Sequence, residues 1–280
     1  MTDANDEALL RRLVAALSTV PGVAAIALGG SRARGTATAH SDYDIGLYYR
    51  ASRPIDVAAL GKVAAGLDDR GAEASVTPIG GWGPWIDGGG WLLIGGVPVD
   101  LLYRDLDRVA AAIDDAHAGR VERFYQAGHP HAFLPVIYMG EAACARLLHD
   151  PAGALASLQR RTTPYPAALA RALRERFEWE AGFALANARK SLDRGDVSYL
   201  AGCAFRAVAC LCQTLFALNG VYLLNEKGAV ATVDGFASSP PDFAKRVTHL
   251  FADLGSGERA LGLDRLEALV GETKSLSSAA

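Results

Sequence analysis

The 280-residue sequence predicts an α/β N-terminal domain, a mixed sheet with helices, followed by an all-α C-terminal helical bundle. In the first half, apolar runs of strand length alternate with segments whose apolar residues recur at helical spacing. From about residue 138 the strand signals vanish and long helical patterns follow. The length exceeds that of one typical domain. We therefore divide the chain into residues 1–137 and a helical domain, residues 138–280.

Composition and charge describe a soluble globular protein, with 50% hydrophobic residues, 21% charged residues and a net charge of −3. This charge argues against an extended nucleic-acid surface. The acidic, amphipathic N-terminus is unlike a signal peptide, and no uninterrupted apolar run reaches membrane-spanning length. The four cysteines lack a C-x₂-C pair, so we expect buried thiols in a reducing cytoplasm. The oligomeric state is left open.

The N-terminal half shows the elements of an α/β domain in order along the chain. Helical spacing of apolar residues covers 6–19, 55–67 and 105–118. Strand patterns cover 24–28, 45–49, 74–79, 91–94 and 97–103, the last two joined as a hairpin by Gly95-Gly96. Pro98 has no backbone donor, so its strand is expected to begin there or to run along a sheet edge.

The C-terminal half is predicted to be helical throughout. Helices are expected at 142–148, 152–159, 166–192 and 196–219, with two more within 238–270 and a frayed C-terminus. Three Arg/Glu pairs at i,i+4 in the long helix, 171/175, 174/178 and 176/180, are typical of a solvated face. His129 and His131 flank a proline, which predicts a solvent-facing loop, with a role in holding a substrate as the alternative.

A glycine-rich loop with two cations follows the first predicted strand. Gly29 and Gly30 allow positive φ angles and a close approach of the backbone to a ligand. A helix that begins just after them would aim its unpaired N–H groups at a phosphate. Ser31 adds a hydroxyl group, and Arg32 and Arg34 add positive charge. The loop therefore favours an anion.

Two aspartates, Asp42 and Asp44, lie two positions apart at the head of the next strand. Residues i and i+2 of a strand point to the same side, so the two carboxylates should repel each other unless a cation lies between them. Hard oxygen ligands suit Mg²⁺, which also takes phosphate oxygens of a substrate as ligands. A phosphate-holding loop beside this pair indicates metal-assisted phosphoryl or nucleotidyl transfer.

The string GSRARGTATAHSDYDI resembles the DNA polymerase β-like nucleotidyltransferase superfamily, particularly its minimal and antibiotic-modifying bacterial members. The family's motif positions correspond to Gly30, Ser31, Asp42 and Asp44, with no departure in residue type. The family has a third carboxylate on a downstream strand, and Asp100 in VPVDLLY corresponds to it; a solvated edge residue is the alternative. The close resemblance covers about a tenth of the chain.

The resemblance implies a two-metal Mg²⁺ site held by Asp42, Asp44 and Asp100, which are also the expected catalytic residues. It implies transfer of a nucleoside monophosphate, AMP first, from an NTP to an acceptor hydroxyl, with Asp100 or another acid as the general base. The expected nucleotide-binding residues are Gly29, Gly30, Ser31, Arg32 and Lys227, the last a lysine near a turn that is otherwise simply solvated.

The acceptor is open on the sequence alone. A small hydroxylated molecule such as an aminoglycoside is favoured, because a helical domain can close a pocket. RNA or a protein side chain is the alternative, and so is a non-catalytic nucleotide-binding module. Tyr199, Arg206 and Gln213 share a helix face that points either to a cleft or to solvent.

The segment 80–91 is too rich in glycine and proline for a regular element. Its tryptophans, Trp82, Trp85 and Trp91, could stack on a base or a sugar. Burial is the common state of tryptophan, so we favour the alternative that they cover the edge of the sheet.

Overall fold

The computed structural model of the protein describes residues 4–38, 41–71 and 76–279. The chain divides into two compact units. The first comprises Met1–Asp114, Tyr125–Gly128 and Tyr138–Pro164, and the second comprises Asp115–Phe124, His129–Ile137 and Tyr165–Ala280. The predicted fold class, a mixed sheet with helices followed by a helix-rich region, is confirmed. The division into a domain of residues 1–137 and a helical domain of residues 138–280 stays a prediction. In the structure, residues 138–164 pack with the first unit.

The first unit contains a sheet with helices. Its elements are α1 (Ala4–Leu17), β1 (Ala25–Leu28), α2 (Gly30–Ala33), β2 (Tyr43–Tyr49), α3 (Val57–Leu67), β3 (Gly89–Ile94), β4 (Val97–Asp105), α4 (Leu106–His117), α5 (Val136–Cys144), β5 (Arg146–His149) and α6 (Ala154–Arg160). The strand order over the described residues is β3-β4-β2-β1-β5. β2 and β4 are parallel, and the other neighbours are antiparallel.

Alternation along β2 and β4 separates the core from the opposite face of the sheet. The odd-numbered residues, such as Ile45, Leu47 and Leu101, are fully buried in a core with α1 and α3. The even-numbered residues therefore point the other way. These include Asp44 and Asp100, which are direct partners in the β2–β4 register.

The second unit is a bundle of helices. Its elements are α7 (Ala167–Lys190), α8 (Val197–Leu218), α9 (Ala229–Val233), α10 (Phe243–Ser256) and α11 (Arg259–Ser278). α8 is in contact with α7, α9, α10 and α11. Within the described part of the chain, α8 is the helix long and apolar enough to cross a membrane by length and composition, and 72% of its most apolar window is buried.

Three element predictions need correction. The helix predicted at 142–148 is wrong, because α5 ends at Cys144 and the next residues form β5, which pairs with β1. The frayed C-terminus is wrong up to residue 279, because α11 continues to Ser278 and Arg174 donates to Ser277 Oγ at 2.8 Å. The strand predicted at 74–79 lies partly outside the described residues; Val76 forms only an isolated bridge with Gly90.

The strand that contains Pro98 is not an edge strand, because β4 lies between β3 and β2. Its pairing with β2 begins only at Val99, so the missing N–H of Pro98 lies outside the β2 ladder. Of the two predicted alternatives, a strand that begins near this proline is therefore the one observed.

Candidate active site

Three carboxylates converge on the face of the sheet opposite the core. Asp42 precedes β2, Asp44 lies in β2 and Asp100 lies in β4. One oxygen of each lies within 4.8 Å of the others. Among the described residues, no hydrogen bond or ion pair reaches these three side chains. Within that part of the chain, the cluster is a set of hard oxygen donors without a direct ion-pair partner, which fits a divalent cation such as Mg²⁺.

The electrostatics of the cluster reflect this crowding. Burial, followed by the charges of Asp42 and Asp44, raises the pKa of Asp100 to about 6. The pKa of Asp44 is also raised, chiefly by burial and by the charge of Asp42. Mutual repulsion of this kind is relieved when a cation is bound between the carboxylates.

The Gly-Gly-Ser loop lies directly against Asp44. Gly29 N–H donates to the Asp44 carbonyl oxygen at 2.8 Å, and Gly30 has φ +60. A Cβ on Gly30 would overlap Oδ2 of Asp44. The helix that follows, α2, is a single turn, so its dipole is smaller than that expected for a longer helix. The Ser31 hydroxyl forms no hydrogen bond within the part of the chain that the structure describes.

Arg32 is held within the protein. Its guanidinium donates to the carbonyl oxygens of Ser41 at 2.8 Å and Asp42 at 3.1 Å, and pairs with Asp6 at 3.2 Å. The same group lies 3.8 Å from the centre of the Tyr43 ring. Arg32 thus positions the chain around Asp42, and a role in binding nucleotide stays a prediction.

Two other cationic side chains that the sequence suggests for phosphate binding, Arg34 and Lys227, are exposed. Arg34 is exposed, and its charge lowers the pKa of Asp44, opposing the burial and repulsion that raise it. Its Nε donates to the Gly30 carbonyl oxygen at 3.2 Å. Lys227 lies exposed in the helical unit, beside Asn225, whose side chain accepts its backbone N–H. Its role in nucleotide binding stays a prediction.

Comparison with known proteins identifies the N-terminal region. Residues 10–108 match the family described as a nucleotidyltransferase domain. Residues 10–108 therefore form a nucleotidyltransferase domain. This match includes the Gly-Gly-Ser loop and all three acids, and it confirms the resemblance seen in the sequence. A domain of this family supports transfer of nucleoside monophosphates in general.

Two further comparisons concern the later part of the chain and the chain as a whole. Residues 135–227 match a domain of unknown function, DUF4037. A nucleotidyltransferase-like protein from Exiguobacterium sibiricum, known from a crystal structure, is 12% identical, with a TM-score of 0.45 over 97% of this chain and 76% of that chain. No curated protein matches the chain.

The first compact unit also contains a buried ion pair near the acids that was not predicted from the sequence. Arg104 in β4 forms a bidentate pair with Glu141 in α5, at 2.6 and 2.7 Å. The charge of Glu141 raises the pKa of Asp44, whereas that of Arg104 lowers it. The position of Arg104, four residues after Asp100 on the same face, was a readable signal. Glu141 had none, because its partner is far away in the sequence.

A second group of potential metal ligands lies in the helical unit: His131, Glu180 and Cys210. Its carboxylate is already neutralised, because Glu180 pairs with Arg123 and with Arg206, the latter at 2.5 Å. Burial raises the pKa of the Cys210 thiol, so this sulfur is protonated at neutral pH. Two cations and a protonated thiol make this cluster a structural network and a poor site for a metal.

The side chains of the two histidines of the connecting segment, His129 and His131, are only 7% and 4% exposed, contrary to the solvent-facing loop predicted from the sequence. His129 Nδ1 approaches Glu226 Oε2 at 3.4 Å. The backbone N–H of His131 donates to Glu226 Oε1 at 2.9 Å. Burial lowers the pKa of His131. These contacts with a distant carboxylate draw the segment into the helical unit, which the local sequence did not reveal.

Proposed function

We propose that the protein is a Mg²⁺-dependent nucleotidyltransferase that transfers an NMP from an NTP to a hydroxyl group of a small acceptor such as an aminoglycoside. AMP is the favoured NMP. The observation that supports this most is the convergence of Asp42, Asp44 and Asp100 within 4.8 Å, beside the Gly-Gly-Ser loop. Three carboxylates at this range, with no direct ion pair among the described residues, repel one another unless a cation is bound. An NTP-dependent enzyme of this kind is expected in the cytoplasm.

The loop residues and the three aspartates are proposed to bind different parts of the NTP and its metal ions. The backbone N–H groups of Gly30 and Ser31, with the Ser31 hydroxyl, would hold the β- and γ-phosphates. Arg34 is the loop cation proposed to add charge there, because Arg32 is already engaged. Asp42, Asp44 and Asp100 would hold the metal ions. When bound, Mg²⁺ supplies neutralising charge and lowers the pKa of a coordinated hydroxyl.

The acceptor hydroxyl must lose a proton as its oxygen attacks the α-phosphorus. Asp100, or another acid, is the proposed acceptor of this proton, because Asp100 is the carboxylate of the cluster that lies on β4. Asp42 is the most exposed of the three acids. Its proposed part is binding and orientation of the triphosphate with its metal.

The first test is thermal unfolding with ATP, GTP, CTP and UTP, each with and without Mg²⁺. A ligand at 100 times its dissociation constant stabilises the folded state by about 2.7 kcal/mol. We expect stabilisation by one NTP, ATP first, only when Mg²⁺ is present. Transfer of labelled NMP to an acceptor panel of aminoglycosides, RNA and protein then identifies the product.

The matched variants are Asp42→Asn and Asp107→Asn. Asp107 is an exposed acid paired with Arg50, outside the cluster. Asp42→Asn should abolish transfer without unfolding the protein, whereas Asp107→Asn should leave transfer unchanged. Turnover retained in Asp42→Asn refutes the scheme. Metal-dependent binding of NTP without turnover on any acceptor supports a non-catalytic nucleotide-binding module instead.

A further inference from the structure

A tryptophan stands in the same row as the acids. Trp91 of β3 is the direct partner of Asp100 in β4, and Asp100 is the direct partner of Asp44 in β2. Directly paired residues of neighbouring strands project to the same face of a sheet. Neighbouring strands lie about 4.8 Å apart. The indole of Trp91 therefore stands on the face of the acids, one strand beyond Asp100.

A second indole stacks on the first. The ring centroids of Trp82 and Trp91 lie 4.5 Å apart, with the planes inclined by 28°. A Cβ at Gly89 would overlap the Leu101 carbonyl oxygen and would also lie 2.9 Å from the Trp82 ring, so the absence of a side chain there lets β3, β4 and this indole lie close together. Trp91 is nonetheless 57% exposed. Tryptophan is usually largely buried, so an exposed indole beside a reactive site is a candidate binding surface.

The loop that supplies Trp82 is fixed in place. Asp87 is buried and accepts hydrogen bonds from the Tyr49 hydroxyl at 2.9 Å and from Arg108 at 2.7 Å. The buried Gln126 side chain donates to the Trp82 carbonyl oxygen at 2.8 Å. The indole pair is therefore largely preorganised, and binding a ring against it costs little ordering of the loop.

The position of the pair across the sheet assigns it to one of the two substrates. The Gly-Gly-Ser loop follows β1, next to β2, whereas Trp91 lies in β3, next to β4. The acids lie between them. In phosphoryl transfer the entering and leaving oxygens lie roughly in line, on opposite sides of the phosphorus. With the departing pyrophosphate at the loop, the acceptor approaches from the tryptophan side.

We propose that Trp82 and Trp91 form the acceptor subsite, on which a sugar or cyclitol ring stacks by one apolar face. This rests on the proposed function, because it takes the loop as the site of the departing pyrophosphate. The hydroxyl oxygen of the ring forms a bond to the α-phosphorus, and the bond from that phosphorus to the bridging oxygen breaks. Pyrophosphate leaves with the electron pair, and the hydroxyl proton passes to a carboxylate.

The test follows the indole N–H resonances of protein labelled with ¹⁵N-tryptophan. The probes are kanamycin, methyl α-D-glucopyranoside, myo-inositol and, separately, the Mg²⁺ complex of α,β-methylene-ATP. We expect at least one ring compound to shift the Trp82 and Trp91 signals while those of Trp85 and Trp179 stay in place. The ATP analogue should leave the Trp91 signal largely unchanged.

Substitutions supply the matched controls. Both substitutions at Trp91 should leave the protein folded, because this side chain is exposed. Trp91→Ala removes the aromatic ring and should weaken binding of the active ring compound roughly tenfold. Trp91→Phe keeps an aromatic ring and should retain most of the affinity. Trp179 is exposed in the helical unit, so Trp179→Ala should change nothing. Affinity for the ATP analogue should be equal in all variants.

The proposal is overturned if none of the three ring compounds shifts Trp82 and Trp91, or if the ATP analogue shifts them as strongly, which assigns the pair to the nucleobase. Failure of the proposed function looks different. In that case the ATP analogue does not bind at all, whereas a ring compound that still shifts Trp91 leaves the stacking surface established.

Discussion

At the scale of single residues, the absence of a side chain at position 30 determines where Asp44 can place its carboxylate. Gly30→Ala puts a Cβ into the space of Asp44 Oδ2 and at an unfavourable positive φ. We expect the carboxylate to move and NMP transfer to fall roughly 100-fold, since a displacement of about 1 Å at a reacting centre has effects of this size. Single-turnover rates with labelled NTP measure the change.

Gly35→Ala is the control that separates the effect of backbone strain from that of the contact with Asp44. Gly35 also has a positive φ, +71, but a Cβ there has no atom within 4 Å. Both variants should therefore lose similar stability through the backbone, while only Gly30→Ala loses transfer. Equal activity in the two variants would show that the contact with Asp44 does not matter.

Asp100 makes the stability of the metal-free protein depend on pH. Its folded pKa of about 6 lies above the ordinary value of 3.8, so the folded state binds this proton more tightly than the unfolded chain. The favourable contribution of the protonated form is complete below about pH 4 and is lost as the pH rises through 6. Asp100→Asn should therefore stabilise the metal-free protein at pH 7.5 by about 1–2 kcal/mol, after allowance for solvent screening.

Urea denaturation with EDTA at pH 4 and pH 7.5 measures this difference. The gain from Asp100→Asn should disappear at pH 4. With saturating Mg²⁺ at pH 7.5 the order should reverse, because only the wild-type protein retains all three ligands. A gain that is the same at both pH values would place its origin outside the ionisation of Asp100.

At the scale of elements, periodicity in the sequence predicted most helices and strands to within a few residues. Alternation of apolar residues correctly predicted which residues of β4 are buried, and the Gly95-Gly96 turn correctly predicted the β3–β4 hairpin. β5 was missed because it is only four residues long and directly follows a helix. So short a segment cannot be distinguished from a helix end unless its pairing with β1 is known. The pairing of Asp44 with Asp100 was not readable either, since register between distant strands is set by tertiary packing.

The α7–α8 pair shows the same limit for charges. The spacing of Arg176 and Glu180 predicted a solvated helix face, and this is wrong for Glu180. Its side chain is 3% exposed and pairs with Arg123 and Arg206. Helical spacing reports which residues share a face, but not whether a distant segment covers that face.

Glu180→Gln tests this network. It replaces a buried carboxylate by a neutral side chain beside two partly exposed guanidinium groups, so we expect the free energy of unfolding to fall by about 1.5–2 kcal/mol. Glu267→Gln is the control, because Glu267 pairs with Arg189 at a 64% exposed side chain. The control should stay within about 0.5 kcal/mol of wild type. Equal urea midpoints for the two variants would contradict a buried network.

At the scale of the whole molecule, the first compact unit draws on a segment far along the chain. A fragment that ends at residue 137 lacks β5 and Glu141, so β1 loses a neighbour and Arg104 loses its carboxylate. An uncompensated buried charge costs about 3–5 kcal/mol. We expect fragment 1–137 to be insoluble or unfolded and fragment 1–164 to be markedly more soluble. Soluble yield and circular dichroism melting distinguish them, and cooperative unfolding of fragment 1–137 would refute the expectation.

Because β5 comes late in the sequence, β1 is synthesised well before the strand that pairs with it. Leu147 of β5 pairs with Ala27 of β1, 120 positions earlier. At synthesis rates of about 5–20 residues per second, β1 leaves the ribosome roughly 6–24 s before its neighbour. During that interval the outer backbone groups of β1 have no strand beside them, and such an edge readily pairs with another chain. The sheet of the first compact unit is therefore completed only after residue 149 has been synthesised.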